Sequence, residues 1–399
     1  MRTSDLRAGL LAAALVAAGG YAMSSIAGER GAARAEPARA DPAAAAPSDP
    51  WRQSARPRRP ALLYERFETI GRADGLPSDR TTCVLAEDGA LAVGTEEGLA
   101  LRPRGGAWTV LSEEQGLAHR YVTSLARDAE SGDLWIGTLR GLSRLSGGAL
   151  RTWRQTDSGL LNDVVYQVRC ADGLVWAATA AGLSCFDAKT GAWADHDVTN
   201  SVMHEPWCYS VDVARGHAWV GVWGGGVVEL NRRSGDWKEY RDPDGEMEID
   251  LLADDGPIHD VTSSVAFDDG VLWQGTYFGL SRYDGRRWTS YTAADTGLPG
   301  DFISHVASLG ATVWLATDQG LGVFDGETCV SYRRQEDGRC DVRVWRGGRE
   351  AERHTIATAP ADDYVLWAQG GDREVWIATG RGLSHGVAAD AGGPKENER

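Results

Sequence analysis

Between positions 64 and 387 the chain alternates apolar and polar residues in short runs, and each run ends on glycine or on a small polar group. Alternation at period two predicts half-buried β-strands, and strands this short with turns this frequent predict an all-β chain. One stretch shows the unit clearly. Tyr121 to Arg127 reads as a first strand (A), Glu130 to Gly132 as a turn, and Leu134 to Thr138 as strand B. Leu139-Arg140 then turns into Gly141 to Leu145 (strand C), and Gly147-Gly148 turns into Leu150 to Arg154 (strand D).

The unit recurs. Six segments carry a tryptophan, then Thr or a substitute, then a glycine: Trp135 to Gly141, Trp176 to Gly182, Trp219 to Gly225, Trp273 to Gly279, Trp314 to Gly320 and Trp376 to Gly382. Ala92 to Gly98 is a seventh copy that lacks only the tryptophan. The glycines lie 43, 41, 43, 54, 41 and 62 residues apart. A period of about 42 with four strands per unit is that of a propeller blade. Seven units therefore predict a seven-bladed β-propeller of four-stranded blades over residues 61–388. The glycine after the B–C turn fits a positive φ, and the small residue before Thr fits a crowded contact between blades. The last unit has strands Tyr364 to Ala368, Val375 to Thr379 and Gly382 to Val387, and no fourth. Tyr64 to Ile70 looks like the D strands of the other units. Pairing it with the last C strand would close the ring and remove two free edges.

The motifs Gly75-Leu76-Pro77-Ser78-Asp79, Leu134-Trp135-Ile136-Gly137-Thr138 and Gly279-Leu280-Ser281-Arg282-Tyr283-Asp284-Gly285 resemble the two-component regulator propeller repeat. The resemblance runs through all seven units, from about residue 64 to 387. It implies an extracytoplasmic sensing propeller that binds ligands such as sugars. This chain carries one propeller and no kinase motif, so output through a separate membrane-signalling or surface-assembly partner is expected. The repeat motif fixes no ligand-binding residue.

Composition changes the picture little. Fifty glycines and 16 tryptophans suit many turns and aromatic layers between sheets. A net charge of −16 argues against nucleic acid, which needs a basic face. The N-terminus matters more. Arg2 and Arg7 precede an uncharged stretch from Gly9 to Ala27, and Ala33-Arg34-Ala35 and Ala38-Arg39-Ala40 offer cleavage sites. Residues 1–35 thus read as a signal peptide, or as an uncleaved inner-membrane anchor, and place the chain in the periplasm or outside the cell. Residues 36–60 read as a disordered Ala/Pro/Arg spacer and 389–399 as a polar tail. No other segment is expected to span a membrane.

Residues that break the repeat are the better functional candidates. D–A connections and B–C turns share one face, and both long insertions, roughly 242–258 and 335–363, are D–A connections. They are expected around the channel mouth, where loops on a rigid scaffold bind ligands. The candidate ligand site there comprises His204, Glu205, Trp207, Trp223, His259, Asp260, Tyr277 and Phe278. Flat rings beside acids and imidazoles suit stacking on a sugar, a peptide or an aromatic ligand; packing of Trp223 and Phe278 against the first insertion is the structural alternative. His119, His204, His259 and His305 sit near strand-A starts, but without HxH, HExxH or CxxC spacing no metal or other cofactor is expected. Of the six cysteines, Cys329 and Cys340 are the plausible disulfide in an oxidising compartment. No nucleophile elbow or phosphate loop supports catalysis. Asp79, Asp163, Asp260 and Asp301 recur before strand A, which points to turn roles. The expected function is non-enzymatic recognition of a glycan, a peptide or a protein. An extracytoplasmic hydrolase or lyase using the same face, and a purely structural scaffold, are the alternatives.

Overall fold

The computed structural model describes residues 49–53, 63–243 and 256–388. The expected leader, the expected tail, most of the expected spacer and most of the first insertion lie outside them. Seven antiparallel sheets follow one another along the chain. Blade 1 holds Thr81–Glu87, Ala90–Thr95, Gly98–Arg102 and Thr109–Leu111; blade 2 holds Val122–Arg127, Leu134–Thr138, Gly141–Ser146 and Ala149–Trp153. Blades 3, 4 and 5 begin at Val165–Ala171, Cys208–Ala214 and Thr262–Asp268, and blades 6 and 7 at Ile303–Leu309 and Val365–Gly370. Strand A of every blade packs against strand A of the next, so the sheets form a closed seven-bladed ring. Tyr64–Ile70 pairs antiparallel with Gly382–Ala388 and supplies the outer strand of blade 7, as the sequence predicts.

The repeat motif is explained by its bonds. The strand-B threonine turns its hydroxyl onto the glycine carbonyl across the B–C turn, for example Thr138 Oγ1 to Gly141 O at 2.7 Å and Thr317 Oγ1 to Gly320 O at 2.9 Å. The glycine has φ between 126° and 142° in six blades, and a Cβ on Gly141 would sit 2.7 Å from the Trp153 carbonyl. Only glycine accepts that backbone at low cost. The small residue before Thr faces the next blade: a Cβ on Gly94 would lie 2.7 Å from Val122, and one on Gly275 the same distance from Ile303. The serine of Gly-Leu-Ser accepts an N–H from the D–A loop, as Ser143 does from Ala118 and Ser384 from Ala361. The strand-B tryptophans Trp135, Trp219, Trp273 and Trp314 are fully buried between sheets.

Four details differ from the sequence reading. The late insertion does not crown the channel. Cys340–Arg346 and Arg349–Ile356 add two strands to the outer edge of blade 6, giving it six. Seven of the eight residues of Arg349–Ile356 are exposed, so that strand carries no period-two burial pattern. Cys329 and Cys340 are therefore not bonded. Antiparallel register sets Cys329 opposite Trp345 and Cys340 opposite Arg334, at opposite ends of a strand pair, and both are free thiols. Blade 4 has a three-residue B–C turn, so its equivalent glycine is Gly226 rather than Gly225. Val222 replaces the pinning threonine there. Trp153 is the last residue of strand D, which ends one residue earlier than the expected Arg154, and stacks on Trp135 at 5.1 Å.

Asp49–Gln53, inside the expected spacer, is docked. Trp51 meets Trp219, Phe267 and Tyr283 edge-on at 5.8, 5.5 and 4.8 Å. Arg215 donates to the carbonyls of Pro50 and Arg52. The A–B and C–D turns of blade 5, at Gly270 and Gly285, lie against the same segment. These turns belong to the lower face, opposite the B–C turns.

Candidate functional site

The upper mouth of the channel is built from two positions of the repeat. The first is the residue after the strand-B threonine position: Glu96, Leu139, Ala180, Trp223, Tyr277, Asp318 and Gly380. Its N–H bonds the carbonyl just before strand A, as Leu139 does to Tyr121, Trp223 to Trp207 and Asp318 to Phe302, all within 3.3 Å. That bond hangs the turn over the innermost strand. The second is the second residue of strand A, where register shifts in all seven blades: Thr82, Thr123, Tyr166, Tyr209, Ser263, Ser304 and Leu366. A bulge re-aims its side chain. In blades 1, 2 and 5 its hydroxyl crosses to the next blade's carbonyl: Thr82 to Val122, Thr123 to Val165 and Ser263 to Ile303, at 2.5–2.6 Å.

In blades 3 to 5 aromatic residues fill one or both of these positions, and together with Phe302, the residue just before strand A of blade 6, they touch. Tyr166 stacks on Tyr209 at 4.4 Å, and Tyr209 packs on Trp223 at 5.1 Å. Trp223 meets Tyr277 edge-on at 5.0 Å, and Tyr277 stacks on Phe302 at 3.9 Å. All five are partly exposed. Edge and offset contacts of this kind are the favoured geometries of aromatic pairs. Burial, more than any neighbour, pushes the phenols of Tyr166, Tyr209 and Tyr277 up, so all stay neutral. Tyr364 is close enough to Tyr277 to contribute, and Tyr121, pushed up to about 12 mainly by burial, feels Tyr364 as well. The mouth thus offers an arc of rings edged by uncharged hydroxyls.

The predicted residues divide. Trp223 and Tyr277 form the centre of the arc. Exposed His204 reaches Glu239 at 3.5 Å, Glu205 is exposed, and a Cβ on Gly224 would lie 3.9 Å from Glu205. Trp207 is half-buried and anchors the Trp223 turn through its carbonyl. His259, Asp260 and Phe278 belong to the scaffold instead. Buried His259 stacks on Phe278 at 4.2 Å, and its Nδ1 accepts from Val261 N. His119 accepts from Tyr121 N and Asn162 from Val164 N in the same way, so His259 fills a repeating turn position. Asp260 accepts Asp242 N and pairs with Arg241 at 3.0 Å. Asp79, Asp163, Asp301 and Asp363 each take the equivalent N–H after strand D, at 2.6–2.7 Å. The recurring acids are turn locks, as their recurrence predicts.

Sequence reasoning missed Tyr166, Tyr209 and Phe302. The signal was available for the tyrosines: Tyr166 and Tyr209 are the second residue of strand A, and counting that offset through the units exposes the switch from Ser/Thr to Tyr, whereas Phe302 lies just before strand A, where Tyr121, Trp207 and Tyr364 also sit. His305 is buried against Trp367 at 3.7 Å, with its imidazole pushed down to about 3 chiefly by burial. His119, His204, His259 and His305 thus have separate partners. Among the described residues no group of three or more His, Cys, Asp or Glu side chains could hold a metal ion.

Several solved structures share this fold. The extracellular domain of the hybrid two-component system protein BT3049 from B. thetaiotaomicron superposes with a TM-score of 0.61 at 18% identity, covering 83% of this chain and 42% of that one. Virginiamycin B lyase from Staphylococcus aureus gives 0.56 at 11% identity over 81% of this chain and 99% of its own. PorZ, a surface component of the type-IX secretion system of Porphyromonas gingivalis, gives 0.56 at 14% over 81% of this chain and 48% of that one. This chain therefore spans under half the length of the two-component-system and secretion-system chains it resembles. No family model matches it, and no curated protein matches it. Among the described residues no helix is long and apolar enough to cross a membrane.

Proposed function

We propose that this chain is a non-enzymatic extracytoplasmic recognition module whose upper mouth binds a ligand by stacking. The aromatic arc from Tyr166 to Phe302 carries the reading. A ligand with a flat apolar face rimmed by hydrogen-bonding groups fits it, and a pyranose ring has that chemistry. His204 and Glu205 supply polar contacts at the rim. The expected leader at residues 1–35 supports a place outside the cytoplasm, and a membrane-signalling or surface-assembly partner would take the output. Trp223→Ala and Tyr209→Ala, screened on a glycan array and titrated calorimetrically, test this. Removing one stacking ring should weaken binding by about 1–3 kcal/mol with the melting temperature held. Glycan binding indifferent to both substitutions refutes the reading.

A lyase or hydrolase reading has one favourable observation. Burial holds the Asp318 carboxyl above its usual range, and Tyr364 lies within its field. A raised carboxyl beside a phenol is a workable general acid. Turnover of any glycan lost in Asp318→Asn but kept in Trp223→Ala would favour it.

A further inference from the structure

The lower face carries a second feature. Strand B of blade 1 has Ala92 where six blades have tryptophan, and in front of it opens a notch of about 310 Å³ between blades 1 and 2. Half-buried Leu85, Leu101 and Leu145 line it, with Arg102 and Arg127 at the rim. The other interblade notches are filled. Phe186 packs on Trp135 at 5.7 Å, Arg232 covers Trp176 at 5.2 Å, and Phe324 meets Trp273. The backbone of Gly370 closes on Trp314, and Trp376 packs with Val84 and Leu91.

Between blades 4 and 5 the filler is a separate piece of chain: Trp51, presented by a turn in which Arg52 N donates to the Asp49 carbonyl. Register makes the two notches equivalent. Ala92 corresponds to Trp219, Leu145 to Tyr283, Arg127 to Phe267 and Gly132 to Gly270. The blade 1–2 notch thus lacks both its own tryptophan and a docked one. Its rim is cationic. Arg127 is engaged with Glu87 and the Gly132 carbonyl, whereas Arg102 lies over Trp108 at 4.8 Å without a carboxylate among the described ion pairs.

We propose that this notch is a docking site for a short segment of a partner protein that presents one aromatic side chain next to an acidic residue. The aromatic ring would fill the space left by Ala92, and the acid would meet Arg102. The chain displays the aromatic half of this mode on itself at Trp51, where Asp49 accepts the Trp51 N–H and Arg215 holds the carbonyls of Pro50 and Arg52.

The probe is the hexapeptide Ser-Asp-Pro-Trp-Arg-Gln, the sequence of residues 48–53, titrated into the full chain with leucine methyls observed by NMR. The peptide should shift the methyls of Leu85, Leu101 and Leu145. Ala92→Trp should refill the notch and weaken binding about tenfold or more, as should Leu145→Asp, in line with loss of an anchor pocket. Trp51→Ala and Trp223→Ala should leave these shifts unchanged. No shift at millimolar peptide, or shifts that persist in both notch variants, overturns the proposal. So does binding that appears only after Trp51→Ala, because the peptide then enters the blade 4–5 notch. Both faces are scored separately, so failure here leaves the upper mouth untouched.

Discussion

Ring closure rests on Tyr64, and its contribution can be split into two parts. The residue is 1% exposed, and its hydroxyl accepts the Trp314 indole N–H at 2.7 Å. Its ring packs on Phe67 and Tyr332, and its backbone N–H donates to the Tyr332 hydroxyl. Tyr64→Phe removes the hydrogen bond and keeps the ring. Leaving a buried donor unpaired costs about 1–3 kcal/mol. The sister tryptophans Trp135, Trp176, Trp219 and Trp273 already keep their N–H groups without a hydrogen-bond partner in the same slot, which sets the cost near the low end, about 1 kcal/mol. Tyr64→Ala also empties a cavity between blades 6 and 7 and should cost about 3–5 kcal/mol. Urea unfolding followed by tryptophan fluorescence measures both. With m of about 3 kcal/mol/M, the midpoint falls by roughly 0.3 M for Phe and by roughly 1–1.7 M for Ala. Equal midpoints for the two variants would refute the assignment of most of the closure energy to ring packing. Wild-type midpoints for both would show that strand Tyr64–Ile70 stands outside the cooperative unit.

Three further outcomes follow from the geometry. Burial raises the Asp363 carboxyl to about 6 from 3.8, so the folded state binds the extra proton, and stability should decline as pH rises from about 4 to 6; Asp363→Asn, which keeps the acceptor for Arg334 N, should flatten urea midpoints across that window. Burial raises the Cys329 and Cys340 thiols, the latter to about 12, so neither should react with Ellman's reagent in the native protein, and reductant should leave the melting temperature unchanged. Trp51→Ala should release Asp49–Gln53 from the lower face and speed tryptic cleavage after Arg52, with the propeller core intact on gels.

The fold was legible because its period is enforced by chemistry that tolerates few substitutes. The Thr–Gly turn needs a hydroxyl and a positive φ, and the closing strand resembles the D strands of the other units, with a bulge between Tyr64 and Arg66 bringing Tyr64 and Phe67, three residues apart, to the buried side. The late insertion was hidden because Arg349–Ile356 is solvent-exposed on nearly every residue, so it shows no period-two burial pattern. The site was half legible. Trp223 stood out because it replaces small or polar residues, whereas Tyr166 and Tyr209 sit inside strands, where tyrosine is ordinary. His259 and Asp260 drew notice for their chemistry, yet each fills a turn position that serine, asparagine or aspartate fills elsewhere.

The strand that seals the ring is made first and paired last. Tyr64–Ile70 leaves the ribosome some 318 residues before Ala388, its partner at the far edge of blade 7. At synthesis rates of about 5–20 residues per second it waits roughly 16–64 s. Through that interval a bare edge with Tyr64 and Phe67 on its inner side has no mate, and blade 6 exposes Tyr332 and Trp314, which it will cover. Any chain cut short before Gly382 never acquires its clasp. A chain without its last strand would therefore keep both the edge of Tyr64–Ile70 and the apolar face of blade 6 uncovered.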